Sequence, residues 1–435
     1  MQIIEINQDL TENLENILPK NILNFLQQNQ NFDPIILKQV DEIISQVKKF
    51  SDQAVVELSN KFDNANFSSI QDFLVSENEF IEAQNNLSPE LKEALKIACQ
   101  RIKNYHQKQL PQDFSYRDEI DFELGNRWIA MQRIGVYVPG GTASYPSSVL
   151  MSVIPAVIAG VKEIIICTPC SNSKINPAII YASQICGVKK IFKIGGAQAI
   201  TAMAIGTQII PKVDKIVGPG NAYVSLAKKQ LYGEVGIDMI AGPTDVTIIA
   251  QRDANVKFIA IDALSQLEHG IDSKAFIIVD NFDFAQKILS EIDNLKNQLS
   301  RKEIIEKSLK NSAIFVINNL DDAYFLANFI APEHLQILTS NPQKVINKIT
   351  NAGAIFVGQY TPEAIGDYIA GPSHTLPTSS TSRFASGLSV YDFLKRQSLM
   401  QSNQNSFSKL AKHASLLAKV EGLTAHQLSI DIRNI

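Results

Sequence analysis

The chain reads as an α/β protein of two parallel-sheet lobes, with a helical region before them and a small helical tail after them. Three observations predict this. From Arg133 onward, short apolar runs alternate with helical patterns in two successive series. Three runs of the first series end in glycine turns that lead into helices. At 435 residues the chain is also too long for one core.

The residues before Arg133 read mostly helical. Apolar residues recur at helical intervals over 35–62. Ser88-Pro89-Glu90 opens a further helix, with serine as N-cap and proline at the first helical position. The first strand series is 134–138, 163–167, 190–194 and 213–217. The second is 245–250, 275–279, 313–317 and 354–357, with a strand-like run at 335–338. The last stretch loses the strands. Phe407, Leu410, Ala414 and Leu417 form one helical stripe that ends at Gly422.

The net charge of −4 comes with no basic block, which argues against a nucleic-acid partner. The start Met1-Gln-Ile-Ile-Glu5 has no basic segment followed by an apolar core, and the longest apolar stretch, 149–160, is broken by Ser152 and Pro155. A cytoplasmic protein without a membrane partner is expected. Four cysteines are too few for a disulfide scaffold. Cys167-Thr-Pro-Cys170 has redox-motif spacing but ends a buried-strand pattern, so it reads as two ordinary buried thiols.

The glycine turns are Pro139-Gly140-Gly141, Gly195-Gly196-Ala197-Gln198 and Gly218-Pro219-Gly220-Asn221. In a parallel sheet all three fall at the carboxyl edge, where open α/β folds bind ligands and helix N-termini favour phosphate. Singly, each is an ordinary strand–helix turn, and Tyr223 stands where a dinucleotide fingerprint would have its third glycine. Together they suggest a nucleotide site. No Walker A pattern is present, which disfavours phosphoryl transfer from ATP.

Of six histidines, His106 and His413 lie in lysine-rich helical patterns and read as surface residues. Gln266 and His269 share one shoulder of a helix and could reach one ion, or His269 could simply face the helix dipole. Glu333-His334 sets a carboxylate beside an imidazole, a pair suited to acid–base work. The loop Gly366-Asp367 to Gly371-Pro-Ser-His374 can bring Asp367 and His374 to a ligand. Glu421 and His426 straddle a helix–turn–helix join in the tail.

These residues fall within a longer pattern. Ile237-Asp-Met-Ile-Ala-Gly-Pro-Thr-Asp245, running on to Asp262-Ala-Leu-Ser-Gln-Leu-Glu-His269, resembles the signature of the histidinol dehydrogenase family. So do Val136-Tyr-Val-Pro-Gly-Gly141, Gly195-Gly-Ala-Gln-Ala199, Gly218-Pro-Gly-Asn221, Ala331-Pro-Glu-His334 and Gly371-Pro-Ser-His-Thr-Leu-Pro377, all in order. The resemblance implies two Rossmann-like lobes and oxidation of L-histidinol to L-histidine through the aldehyde, with two NAD, at the last step of histidine biosynthesis. It implies one zinc ion per chain, held by Gln266, His269, Asp367 and His426. It makes Glu333 and His334 the acid–base pair. Tyr137, Gln198 and Asn221 match NAD-contacting positions; Thr244, His374 and Glu421 match substrate contacts, joined by the metal ligands and His334. It further implies a homodimer with shared active sites, the tail completing the partner's site.

The expected division is a segment 1–34, a first lobe of 35–136 with 245–386 carrying the metal and acid–base residues, a second lobe 137–244 carrying the NAD site, and a tail 387–435. Three residues depart from the family pattern: Thr244 and Asp245 replace serine and glutamate, and Leu267 replaces alanine. A zinc-dependent hydrolase of a small polar substrate and a non-catalytic two-lobed binding protein are the rival readings.

Overall fold

The computed structural model describes residues 1–26, 32–63, 65–140 and 145–433. Gly141 of the first glycine turn lies outside the described residues. Two parallel sheets form, as the alternation requires. The strand order of the larger is Gln2–Ile6, Ala313–Ile317, Lys274–Val279, Asp245–Ala250, His334–Leu338, Ala354–Val357. That of the smaller is Lys190–Phe192, Glu163–Cys167, Arg133–Tyr137, Lys215–Val217, Gly236–Ile237. Asp245–Ala250 is buried at every position, the pattern of a central strand covered on both faces.

The structure corrects several expectations. The first residues form an edge strand, Gln2–Ile6, paired with Ala313–Ile317, rather than a segment apart from the lobes. A third, antiparallel sheet joins Phe114–Arg117, Glu123–Ala130 and Leu394–Gln401. Two of its strands fall where helix was expected and one in the tail, which was read as strandless. Phe114–Arg117 and Leu394–Gln401 are exposed almost throughout, so they carry no buried-face alternation to read. The helices Pro34–Phe50, Asp52–Asp63, Glu77–Asn86 and Pro89–Gln107 share a core with the five-stranded sheet. The reading had grouped them with the other lobe. Their apolar faces (Val40, Val47, Val55, Ile102) join that core by packing on its helices: Pro34–Phe50 and Asp52–Asp63 on 196–205, Glu77–Asn86 on 177–185 and Pro89–Gln107 on 146–159. His106 is fully buried, its Nδ1 2.7 Å from Gln109 Oε1, whereas His413 is exposed.

The tail is helical, Gln404–Val420 and Thr424–Asp431, and turns at Gly422 with φ +74°. Cys167 and Cys170 are buried free thiols, and burial pushes Cys170 up to about 11. Among the described residues no helix is long and apolar enough to cross a membrane.

Candidate active site

Residues 244, 245, 333 and 334 lie at the amino ends of two adjacent strands, with His334 in register with Val246. The helix Val256–Leu267 runs back from the far edge of the sheet and delivers Gln266 and His269 to the same end. Ala331 adopts the left-handed conformation (φ +51°) at the end of helix Ala323–Ile330, so the chain turns sharply through Pro332 into Glu333-His334. That turn is pinned: the Ala331 amide donates to the Ala327 carbonyl and the Ser382 hydroxyl to the Ala331 carbonyl, both at 2.8 Å.

Glu333 and His334 are almost fully buried. His334 Nδ1 lies 3.1 Å from the Asp245 carbonyl, which can only accept, so this nitrogen carries the proton. Nε2 then holds the lone pair. It has no hydrogen-bond partner among the described residues, and Asp367 Oδ1 stands 3.9 Å away. Burial holds the imidazole down at about 3, so it is neutral near physiological pH. Burial raises Glu333 well above the usual carboxylate range, opposed by the Thr244 hydroxyl and reinforced by Asp245 and Asp367. Asp245 accepts the Glu333 amide at 3.4 Å and is itself pushed up to about 7 by burial.

Beside this pair, His269, Glu363 and Asp367 each present a ligand atom, all within 4.8 Å of one another. Glu363 was not singled out in the sequence. The signal was available: Glu363 and Asp367 are four apart in one short helix, Glu363–Tyr368, and so share a face. The Gln266 amide spans Thr244 Oγ1 (2.5 Å) and the Glu363 carboxylate (2.5 and 2.6 Å), and Thr244 in turn lies 2.5 Å from Glu333 Oε2. With its nitrogen toward Glu363, both ends of the amide are satisfied. With its oxygen toward Glu363, acceptor faces acceptor, and a proton on the buried Glu363 carboxyl or a cation held by both oxygens reconciles the two. Imidazole, carboxylate and amide oxygen converging in this way fit a divalent metal.

The structure thus brings together Thr244, Gln266, His269, Glu333, His334 and Asp367. His374 joins them through its Nδ1, 2.9 Å from the Asp367 carbonyl, and its Nε2 reaches Ser148 of the other lobe at 3.1 Å. Glu421 and His426 are exposed on the tail and are not part of this cluster within one chain.

Tyr137, Gln198 and Asn221 meet elsewhere. They line one cleft of about 1000 Å³ at the carboxyl edge of the five-stranded sheet, which Asp63, Pro169 and Tyr223 also line. Gln198 is buried, and its Nε2 has no partner among the described residues. At two glycine turns some of the amides are engaged within the chain. The amides of Gly195 and Gly196 are already taken, by Asp63 Oδ2 (3.3 Å) and the Tyr137 hydroxyl (3.1 Å). The Gly218 amide is taken by Asp238 Oδ2 at 2.7 Å, and those of Tyr223 and Val224 by Asn221 Oδ1.

Comparison with known proteins agrees with this assembly. The family model described as histidinol dehydrogenase matches residues 26–434. Histidinol dehydrogenase 1 of Nostoc sp. is 46% identical over 395 residues, covering 91% of each chain. The histidinol dehydrogenase of Aquifex aeolicus is 46% identical over 397 residues, covering 91% of this chain and 92% of its own. The crystal structure of histidinol dehydrogenase from Elizabethkingia anophelis superposes with a TM-score of 0.93 at 34% identity, covering 100% of this chain and 98% of that one. These relatives are dehydrogenases by name and lend nothing to a hydrolase reading. By sequence, by fold and by the residues gathered at its site, the chain belongs to the histidinol dehydrogenase family.

Proposed function

We propose that this chain oxidises L-histidinol to L-histidine through L-histidinal, reducing two NAD. The observation that carries the reading is the orphaned Nε2 of a neutral, buried His334, set between a buried carboxyl and a metal-fitting cluster. A lone pair so placed can take the substrate's hydroxyl proton as hydride leaves the adjacent carbon for the nicotinamide. The aldehyde must then add water before a second hydride can leave. Glu333, 3.9 Å from the His334 ring, is placed to take a proton from that water while His334 returns the proton it holds to the carbonyl oxygen, which frees His334 to take the next one from the hydrate.

Gln266, His269 and Asp367 would hold a zinc ion, whose chemistry here is to bind and orient the substrate's imidazole and amine. Glu363 stands against the Gln266 amide and is a further carboxylate within reach of the same ion. NAD would occupy the cleft lined by Tyr137, Gln198 and Asn221, with the unpartnered Gln198 amide as a donor toward it. His374, bonded across to Ser148, ties the two sites together. The exposure of Glu421 and His426, beside exposed Leu416, Leu417 and Val420, supports a homodimer in which the partner subunit's His426 completes each metal site.

Titration of limiting histidinol against excess NAD tests the reaction. Two NADH per histidinol are expected; one would leave a simple alcohol dehydrogenase. Elemental analysis tests the ligands. One zinc per chain is expected in the dialysed protein and a loss in His269→Asn; equal zinc in both would overturn the assignment. Co-expression of His334→Ala with His426→Ala tests the shared site. About a quarter of full activity is expected from random pairing, since half the dimers are mixed and each has one intact site. No recovery in dimers shown to be mixed would rule out sharing.

A further inference from the structure

We infer that Lys228 and Asp238 are positioning residues for the dinucleotide: their buried ion pair fixes the glycine turn that carries Asn221 and abuts Tyr137. The inference rests on the NAD seat proposed above. Strand Lys215–Val217 ends one residue before the turn, so Gly218 enters it with no strand partner for its N–H or C=O. The ion pair supplies both. Asp238 Oδ2 accepts the Gly218 amide at 2.7 Å, and Lys228 Nζ donates to the Gly218 carbonyl at 3.0 Å. Lys228 also donates to Asp238 Oδ1, which accepts the Met239 amide at 2.6 Å. Their side chains are 2% and 1% exposed.

The clamp reaches both cofactor candidates. On one side Gly218 lies against Tyr137: a Cβ there would sit 2.1 Å from the Tyr137 carbonyl, and φ is +110°. Any drift of Gly218 therefore moves relative to the strand end that presents Tyr137. On the other side, three residues on, Asn221 caps the helix Ala222–Leu231 that contains Lys228. The helix thus reaches back to the turn from which it starts. A buried ion pair is seldom the most stable filling for such a space, because desolvation offsets the attraction. What this one provides is geometry: an acceptor and a donor at fixed points on either side of one glycine.

Steady-state kinetics of Lys228→Met and Asp238→Asn, with NAD and histidinol varied separately, tests this. The expected result is an NAD KM raised at least about tenfold, with kcat at saturating NAD within about threefold and the histidinol KM unchanged. Lys228→Arg, which keeps the charge and a donor, should recover most of the NAD KM. A merely structural pair would lower the active fraction, and so kcat, and leave the NAD KM alone; that outcome overturns the inference. So does an unchanged NAD KM in either folded variant, and so does failure of both to fold. Asn221→Ala separates the two levels. If it leaves the NAD KM unchanged, the seat itself is wrong. If it raises the NAD KM while the clamp variants do not, only the clamp fails.

Discussion

The two lobes turn opposite edges of their sheets toward the two proposed sites, and the backbone and side chains there are held differently. In the five-stranded lobe the working turns sit at the carboxyl ends of the strands, as open α/β folds lead one to expect. There the exposed amides of two glycine turns are satisfied from within, by Asp63, Tyr137, Asp238 and Asn221. In the six-stranded lobe Glu333 and His334 sit at the amino ends of the strands, and the satisfaction is incomplete. Among the described residues, His334 Nε2 and Asp245 Oδ2 are buried without partners, and a cluster of carboxyls has no lysine or arginine among its hydrogen-bonded neighbours. Unmet hydrogen-bonding capacity is costly in a folded chain, and each lobe holds some beside its site: Gln198 Nε2 in the cleft of the smaller sheet, His334 Nε2 and Asp245 Oδ2 at the larger one. On the function proposed above, the carboxyl edge of the smaller sheet seats the dinucleotide and the amino edge of the larger one holds the acid–base pair.

The comparison breaks most readily at His334. If its free nitrogen is the base, His334→Ala lowers the rate of NADH formation about 10²- to 10⁴-fold while melting close to the parent. A loss below tenfold would make the orphaned atom a packing accident. Glu333→Gln sharpens the same lobe. The substitution preserves shape and removes the ionisable group, and only the aldehyde must be hydrated. Oxidation of histidinal should therefore fall at least about tenfold further than that of histidinol, read as separate half-reactions. Equal losses would show that Glu333 serves both steps alike.

At the smaller sheet the expected effects are on stability. Gly218→Ala forces a Cβ to 2.1 Å from the Tyr137 carbonyl and an L-residue into φ +110°. It should cost more than about 2 kcal/mol in urea unfolding; a smaller cost would mean the turn can relax. The smallest effect is at Asp63, which burial raises from 3.8 to about 6. With the folded pKa above the unfolded one, the folded state binds the extra proton between about pH 4 and 6. Stability from this group is therefore present at low pH and lost as pH rises through about 6. Asp63→Asn can keep the bond to the Gly195 amide without the charge. It should gain about 1 kcal/mol at pH 8 relative to pH 5, a figure reduced for the solvent around a half-buried carboxylate. No pH dependence in the difference would mean Asp63 is already well solvated.

Much of this was legible in the chain itself. Residues 275–279 and Ala313–Ile317 are continuous apolar runs, and local composition decides such strands. Gln266 and His269 could be paired by helical spacing, and Glu333 and His334 by adjacency. The strand Leu394–Gln401 could not be read, because an exposed antiparallel strand needs only a partner, and its partner Glu123–Ala130 lies far away in sequence. For Glu363 the spacing to Asp367 was legible and its partner was not. Its place against Gln266 depends on the helix Glu363–Tyr368 meeting the end of the helix Val256–Leu267, a contact between segments that nothing local specifies.

Sequence by itself determined which segments would be strands or helices wherever one face had to be buried, and which residue types could do acid–base or metal chemistry. Only the tertiary structure decided that helices 34–107 cover the smaller sheet, that the His334 ring gives its Nδ1 proton to the Asp245 carbonyl, and that the glycine turns spend their amides on Asp63, Tyr137 and Asp238. The physical reason is the range of the forces. Periodic burial and capping act over a few residues and are written locally. The protonation and partnering of a buried group depend on whatever the fold brings within about 4 Å of it, from any part of the chain.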